Sequence, residues 1–186
     1  SFLSINVSFY IFIAVVLTYG TDAECAGMTR NEMLFAVLLA SVLQILAQFL
    51  SASSSDRNGL RGIFMLGAIL TGVWAFALFP LIDTGNFWLI VVAISGGLMF
   101  LGMMYGPQAA FFTELFSTEV RYSGASLGYQ VGAILGGAFA PTIATILWTE
   151  YDIVWVSVYI AIASLLSLLS VVMLTETYKT SLHDTD

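Results

Sequence analysis

The chain is written in long apolar runs separated by short polar ones. The runs lie at about Phe2–Tyr19, Met33–Leu50, Ile63–Ile82, Phe87–Ala110, Gly124–Leu147 and Ile153–Leu174. Each is close to, or longer than, the about 20 residues that carry an α-helix across a bilayer. Between them stand TDAECAGMTRNE, SASSSDRNGLRG, DTGN, a charged stretch ending at Arg121, and WTEYD, with TETYKTSLHDTD closing the chain. Separators of this length join neighbouring helices directly. The pattern predicts an all-α polytopic membrane protein, a single domain of six transmembrane helices over residues 1–186.

Polar residues inside the runs fall at helical spacing. Asn6 and Tyr10 are four apart and share a face of the first span; they either line a cavity or bond a neighbouring helix. Ser41, Gln44 and Gln48 form a stripe on the second span that faces protein or water rather than lipid. In the third span, Thr71 is the only uncharged polar group of the interior and Trp74 sits mid-span, so this helix is expected to face lipid or pack passively. Near the end of the fourth span, Gly106-Pro107 is expected to loosen or kink the helix. Tyr105 and Gln108 beside it either line a cavity or flank a passive kink. In the fifth span, Gly124, Gly128, Gly132 and Gly136 recur every four residues and strip one helix face of side chains. Such a face lets another helix approach closely.

Composition sharpens the class. Hydrophobic residues make up 59% of the chain and charged ones 9%, with a mean hydropathy of +0.95. No soluble core can hide that much apolar surface, so the lipid bilayer is the expected partner. The net charge of −7, with only five Lys and Arg, excludes nucleic acid, whose phosphates need clustered cations. The basic residues also set an orientation. With the start of the first span in the cytoplasm, Arg57, Arg61, Arg121 and Lys179 lie inside and Arg30 alone outside, the bias that membrane proteins follow. The C-terminus is then cytoplasmic, in a plasma-membrane protein. Ser1 opens the chain within an apolar run, as a cut inside a helix of a longer protein would.

Catalysis finds few candidates. Cys25 is the single cysteine and His183, in the tail, the single histidine. No metal site, cofactor or Ser-His-Asp constellation is expected from these. Ser123-Gly124-Ala125-Ser126 has the look of a nucleophile turn, but no span supplies the base that a nucleophile needs. An enzyme is not expected.

Two stretches carry a resemblance. ELFSTEVRYSGASLGYQVGAILGG followed by FAPTIATIL, at Glu114 onward, resembles the loop and eleventh helix of the metabolite:proton symporter family within the major facilitator superfamily. DRNGLR, at Asp56 to Arg61, is similar to that superfamily's D-R-x-G-x-R loop, with Ala52 where the pattern has its leading glycine and Gly62 where a basic residue is usual. Glu114 and Arg121 match the spacing of its E-x6-R loop.

The resemblance implies that the six spans are helices seven to twelve, the C-terminal half of a twelve-helix solute:proton symporter whose N-terminal six-helix half is the partner. It implies that Asp56, Arg57, Arg61, Glu114 and Arg121 form a charge network bracing the outward-facing state, a reading favoured over surface ion pairs because two separate motifs place opposite charges on the same membrane face. It implies that the first and fourth spans line the central cavity, making Asn6, Tyr10, Tyr105 and Gln108 substrate-side, and that the glycine face lies near the missing half. The function implied is proton-coupled secondary transport of a small polar metabolite, an organic acid or zwitterion, by alternating access. A six-span structural or assembly subunit that transports nothing is the other class the residues allow. The spans hold no acidic residue away from their ends, so a proton-carrying carboxylate is expected in the other half.

Overall fold

The computed structural model describes residues 2–22, 27–115 and 119–181, with the side chains of 2–4, 56, 58, 109–115 and 174–181 outside the description. Every regular element among them is helical: α1 (Phe2–Tyr10), α2 (Val16–Thr21), α3 (Arg30–Asn58), α4 (Leu60–Asp83), α5 (Phe87–Leu115), α6 (Arg121–Ala133), α7 (Ala140–Glu150) and α8 (Ile153–Ser181). A π-helical turn, Ile11–Val15, joins α1 to α2, and a second, Ile134–Ala138, leads from α6 towards α7. Five segments are long and apolar enough to cross a membrane, and Ile5–Thr21 is a shorter apolar one.

Helices outrun the apolar runs at both ends. At the start of α3, Thr29 Oγ1 accepts from the Glu32 backbone N–H (3.3 Å) while the Thr29 N–H donates to Glu32 Oε2 (3.0 Å). This reciprocal cap begins the helix before the apolar run does. At the other end α3 continues through the serines to Asn58 and stops at Gly59, whose φ of 89° is open to glycine and costly for other residues. The expected turn SASSSDRNGLRG is therefore mostly helix. Asp56 and Arg57 lie in the last turn of α3 and Arg61 in the first of α4, rather than in a loop. Polar residues at the membrane surface keep their helical hydrogen bonds, so the loss of hydropathy does not end the helix.

The core runs through the middle of the bundle. α3 packs on α5, and α4 lies between α5 and α8. The third span, expected to face lipid or pack passively, does both: one face is buried between its neighbours while Leu66, Ile69, Val73 and Phe76 remain exposed on the other. Ile63, Phe64, Ala68, Thr71, Ala75, Leu78, Phe79 and Ile82 are all buried on it. Trp74 Nε1 donates to the Ala93 carbonyl (2.8 Å) and Ser157 Oγ to the Ala75 carbonyl (2.7 Å), which ties α4 to both neighbours. At one end of the bundle, Tyr19 Oη donates to Asp83 Oδ1 (2.5 Å), with its ring edge-on to Phe79 and Trp148. That cluster joins α2, α4 and α7. Arg57, Arg61 and Arg121 stand at the opposite end, which follows from the alternating direction of the helices.

The fourth span is not interrupted at Gly106-Pro107; α5 runs through it. Proline has no N–H, so the carbonyl four residues earlier, that of Met103, loses its helical donor. Ser51 Oγ of α3 donates to that carbonyl at 2.9 Å. The breaks fall in the first and fifth spans instead, as the two π-turns.

Candidate functional site

The substrate-side candidates stand on α1 and α5, which pack on each other and on α6. Asn6 is buried on α1, and Tyr10, at its C-terminal end, is 40% exposed. Tyr10 packs against the second π-turn. Pro141 cannot donate to the Gly137 carbonyl, which opens the fifth span there, and a Cβ at Gly137 would stand only 2.6 Å from Tyr10 Cε2. The Tyr10 ring thus occupies the room that the glycine leaves. Its other face meets Phe9 edge-on.

On α5, Tyr105 is half-buried, its body packed against the core. Tyr10 of α1 and Tyr129 of α6 stand on the two helices that pack against α5. Gln108, one turn beyond Tyr105, is 5% exposed, and its Nε2 finds no hydrogen-bond partner. An unpaired buried amide is costly and so is informative. Of the substrate-side residues expected from the sequence, Asn6 and Tyr10 lie on α1 and Tyr105 and Gln108 on α5, two helices that pack on each other. Tyr129 was not among them. Its signal was present, as an aromatic residue on a helix face otherwise made of glycine, serine and alanine.

The charged residues divide. Arg57 is exposed, and Arg61 and Arg121 are half-exposed at the helix starts and ends of one side of the bundle. Glu114 belongs to the last turn of α5. The side chains of Asp56 and Glu114, and everything at Cys25 and His183, lie outside the described residues.

The glycines also redistribute. Gly128 is exposed, Gly124 and Gly132 are half-exposed, and α6 buries none of its residues against this bundle. Gly136 is buried, but inside the π-turn, where the four-residue spacing no longer marks one straight face. Among the glycines that bring helices together are Gly67, at the α4–α5 contact, and Gly102 and Gly106, at the α3–α5 contact. A Cβ at Gly106 would stand 2.9 Å from both the Ala52 N and the Gln48 O of α3, and one at Gly102 would stand 3.0 Å from Gln44 O. The stripe of Ser41, Gln44 and Gln48 is accordingly a packing surface, since Gln44 and Gln48 turn their backbone to these glycines. Ser41 Oγ bonds its own helix at the Val37 carbonyl.

Two grooves lie elsewhere. One of about 430 Å³ runs between α4 and α8 and is lined by apolar groups such as Ile69, Val73, Phe76 and Leu165. Another, of about 300 Å³, sits at the α3–α5 contact beside Gln48, Phe49 and Gly106. Among the described residues no three His, Cys, Asp or Glu side chains gather as a metal site would require.

The family model of the Major Facilitator Superfamily matches residues 1–185. The chain belongs to that superfamily, which places it among membrane transport proteins rather than enzymes. It is 36% identical over 179 residues to the inner membrane metabolite transport protein YhjE of Escherichia coli K12, a match covering 94% of this chain and 40% of that protein. It is 30% identical over 176 residues to the shikimate transporter of the same strain, covering 93% of this chain and 40% of the relative. A proline/betaine transporter of that strain is more distant, 20% identical over 172 residues, with 92% and 34% covered. The chain thus spans about two fifths of the length of these curated relatives. No solved structure matches it significantly.

Proposed function

We propose that this chain is the C-terminal six-helix half of a secondary transporter that carries a small polar metabolite across the cytoplasmic membrane by alternating access, coupled to protons. The observation that carries the reading is how polarity is divided within the bundle. Asn6, Tyr10, Tyr105 and Gln108 gather on α1 and α5, whereas the groove on the α4–α8 side is lined almost wholly by apolar groups. Polar groups within a membrane domain are costly unless they meet protein, water or solute. A solute pathway on the α1–α5 side and lipid on the α4–α8 side accounts for both.

In this reading the largely exposed α6, with Gly124, Gly128 and Gly132 on one face, meets the N-terminal half, and Gly136 belongs to the bend. Two such halves rocking about a midplane site give alternating access. Asp56, Arg57, Arg61, Glu114 and Arg121 brace one end of the pathway, on the cytoplasmic side, where the C-terminus also lies. Names of relatives extend from metabolite and shikimate to proline/betaine transport, so the solute is an organic acid or a zwitterion.

The test is uptake by the full-length protein in proteoliposomes, with an imposed pH gradient and, separately, as counterflow exchange without one. Concentrative uptake that needs the gradient, with exchange that does not, is the expected result. Exchange without concentrative uptake would remove the proton from the reading. Absence of both across organic acids and zwitterions would favour a non-transporting subunit.

A further inference from the structure

We propose that the fifth span is shared between the two halves of the transporter: a clamp of Tyr19, Phe79, Asp83 and Trp148 fixes α7 to this bundle, and α6 swings about the π-turn Ile134–Ala138 to follow the half that packs on it. The inference rests on the transport reading above and says which part of this half moves.

The two π-turns differ in their surroundings. The first buries Ile11, Phe12 and Val15, and the segments on either side of it are held. α1 packs on α8 with Ile5, Val7 and Ser8 buried, and α2 buries Val16, Tyr19 and Gly20. The first span is a fixed post. The second π-turn buries only Gly136, and the 13 residues of α6 before it bury none. Beyond it, α7 buries Ala140 and Ala144. The fifth span therefore passes from unheld to held at its π-turn.

Three helices build the clamp. Tyr19 of α2 is 4% exposed, and its Oη donates to Asp83 Oδ1 at 2.5 Å. Asp83 is the last residue of α4, where the helix dipole disfavours negative charge. A hydrogen bond to an ionised acceptor is among the stronger ones and offsets that cost. The Tyr19 ring lies edge-on to Phe79 of α4, at 5.4 Å, and to Trp148 of α7, at 5.1 Å. α2 is in turn pinned to the start of α3. The Met28 N–H donates to the Gly20 carbonyl at 3.0 Å, and Gly20 leaves room for the Met33 side chain. Through Trp148, α7 docks on this held segment.

The pivot has the chemistry of a bend. Pro141 has no N–H for the Gly137 carbonyl, so a straight α-helix through this point would lack a bond. Sharp bends in helices fall at prolines and at π-turns. The Tyr10 ring, on the fixed first span, fills the notch at Gly137 and gives the turn a surface to bear on. Movement of α6 disturbs no buried side chain of its own, whereas movement of α7 would pull Trp148 off Tyr19. Rocking of one half against the other is then taken up at the π-turn.

The experiment places spin labels on the full-length protein, with its native cysteines replaced, in lipid nanodiscs. Distances are read from Val73 of α4 to Ile146 of α7 and to Tyr122 of α6, positions that are 66%, 51% and 88% exposed. Acid and neutral pH, each with and without shikimate or glycine betaine, sample the cycle. The Val73–Ile146 distance should stay single and narrow in every condition, while the Val73–Tyr122 distance should split into two populations or shift by several ångströms. Asp83→Ala should broaden the first distance, and Asp83→Asn, which keeps an acceptor for Tyr19, should not. Pro141→Ala supplies the missing donor, so it should merge the Val73–Tyr122 populations and lower initial uptake by about tenfold, with the unfolding temperature unchanged or higher. Parallel shifts of both distances would overturn the inference, because the span would then move as one rod. A single narrow Val73–Tyr122 distance in every condition would overturn it as well. If the labelled protein in that case still takes up shikimate or glycine betaine, the transport reading stands; if it takes up neither, both fall.

Discussion

Single residues carry much of the contact between α3 and α5. Pro107 removes a donor from α5, Ser51 of α3 replaces it at the Met103 carbonyl, and Gly106 between them lets the two backbones come within reach. Ser51→Ala leaves that carbonyl unpaired, and a loss of about 1 kcal/mol is expected, in the range of interhelical hydrogen bonds in membranes. Gly106→Ala should cost more, about 1–3 kcal/mol, because the atoms it would strike belong to the α3 backbone and cannot swing aside. Gly62→Ala is the contrast, since nothing lies within 4 Å of a Cβ there. Thermal unfolding of the full-length protein in detergent checks all three. Equal unfolding temperatures for the Gly62 and Gly106 variants would mean that α3 and α5 stand further apart than described.

At the scale of elements, what was legible in the sequence is what lipid enforces. A span needs an unbroken apolar run, so six helical segments could be read from hydropathy alone. Their ends could not, because the Thr29–Glu32 cap and the serines before Gly59 extend helices into polar sequence. Nor could their interruptions. Gly106-Pro107 was expected to loosen or kink its helix; the helix is continuous through it, and a serine on another helix bonds the carbonyl that the proline leaves without a donor. In the fifth span a π-turn precedes Pro141, and the Tyr10 ring lies where a Cβ of Gly137 would stand. Each outcome depends on a neighbour that is distant in sequence. The candidate site is legible only as a list for the same reason: Tyr10, Tyr105 and Gln108 stand out as polar groups in apolar runs, while the packing of α1, α5 and α6 that surrounds them is tertiary. The π-turn makes its own prediction. Gly137→Ala and Tyr10→Leu should be strongly non-additive, the first destabilising in the presence of the Tyr10 ring and nearly harmless without it. A double-mutant cycle on unfolding free energy measures this, with a coupling of about 0.5–3 kcal/mol expected for groups in contact. Simple additivity would separate the ring from the turn.

The whole molecule has two unlike ends. Asp83, Glu150, Asp152 and the Tyr19–Asp83 cluster occupy one, and Arg57, Arg61 and Arg121 the other. Helix α5 delivers Glu114 to the basic end, and α6 starts there with Arg121. If these charges brace one state of a rocking transporter, their worth lies in the equilibrium between states rather than in the stability of either bundle. An exposed ion pair acting alone is worth about 0–1 kcal/mol, which shifts a population by about fivefold at most. A network engaged in one state and released in the other can shift it further, and each member then depends on the rest. Arg121→Glu is therefore expected to lower uptake by more than about tenfold in the full-length protein, with unfolding temperature little changed. Adding Glu114→Arg should restore part of it, because the double variant keeps a pair of opposite charges while reversing its direction. Initial rates of uptake for the two single variants and the double decide the matter. Losses that simply multiply would leave Glu114 and Arg121 as separate surface charges, and the bracing role would then fall to Asp56, Arg57 and Arg61 without them.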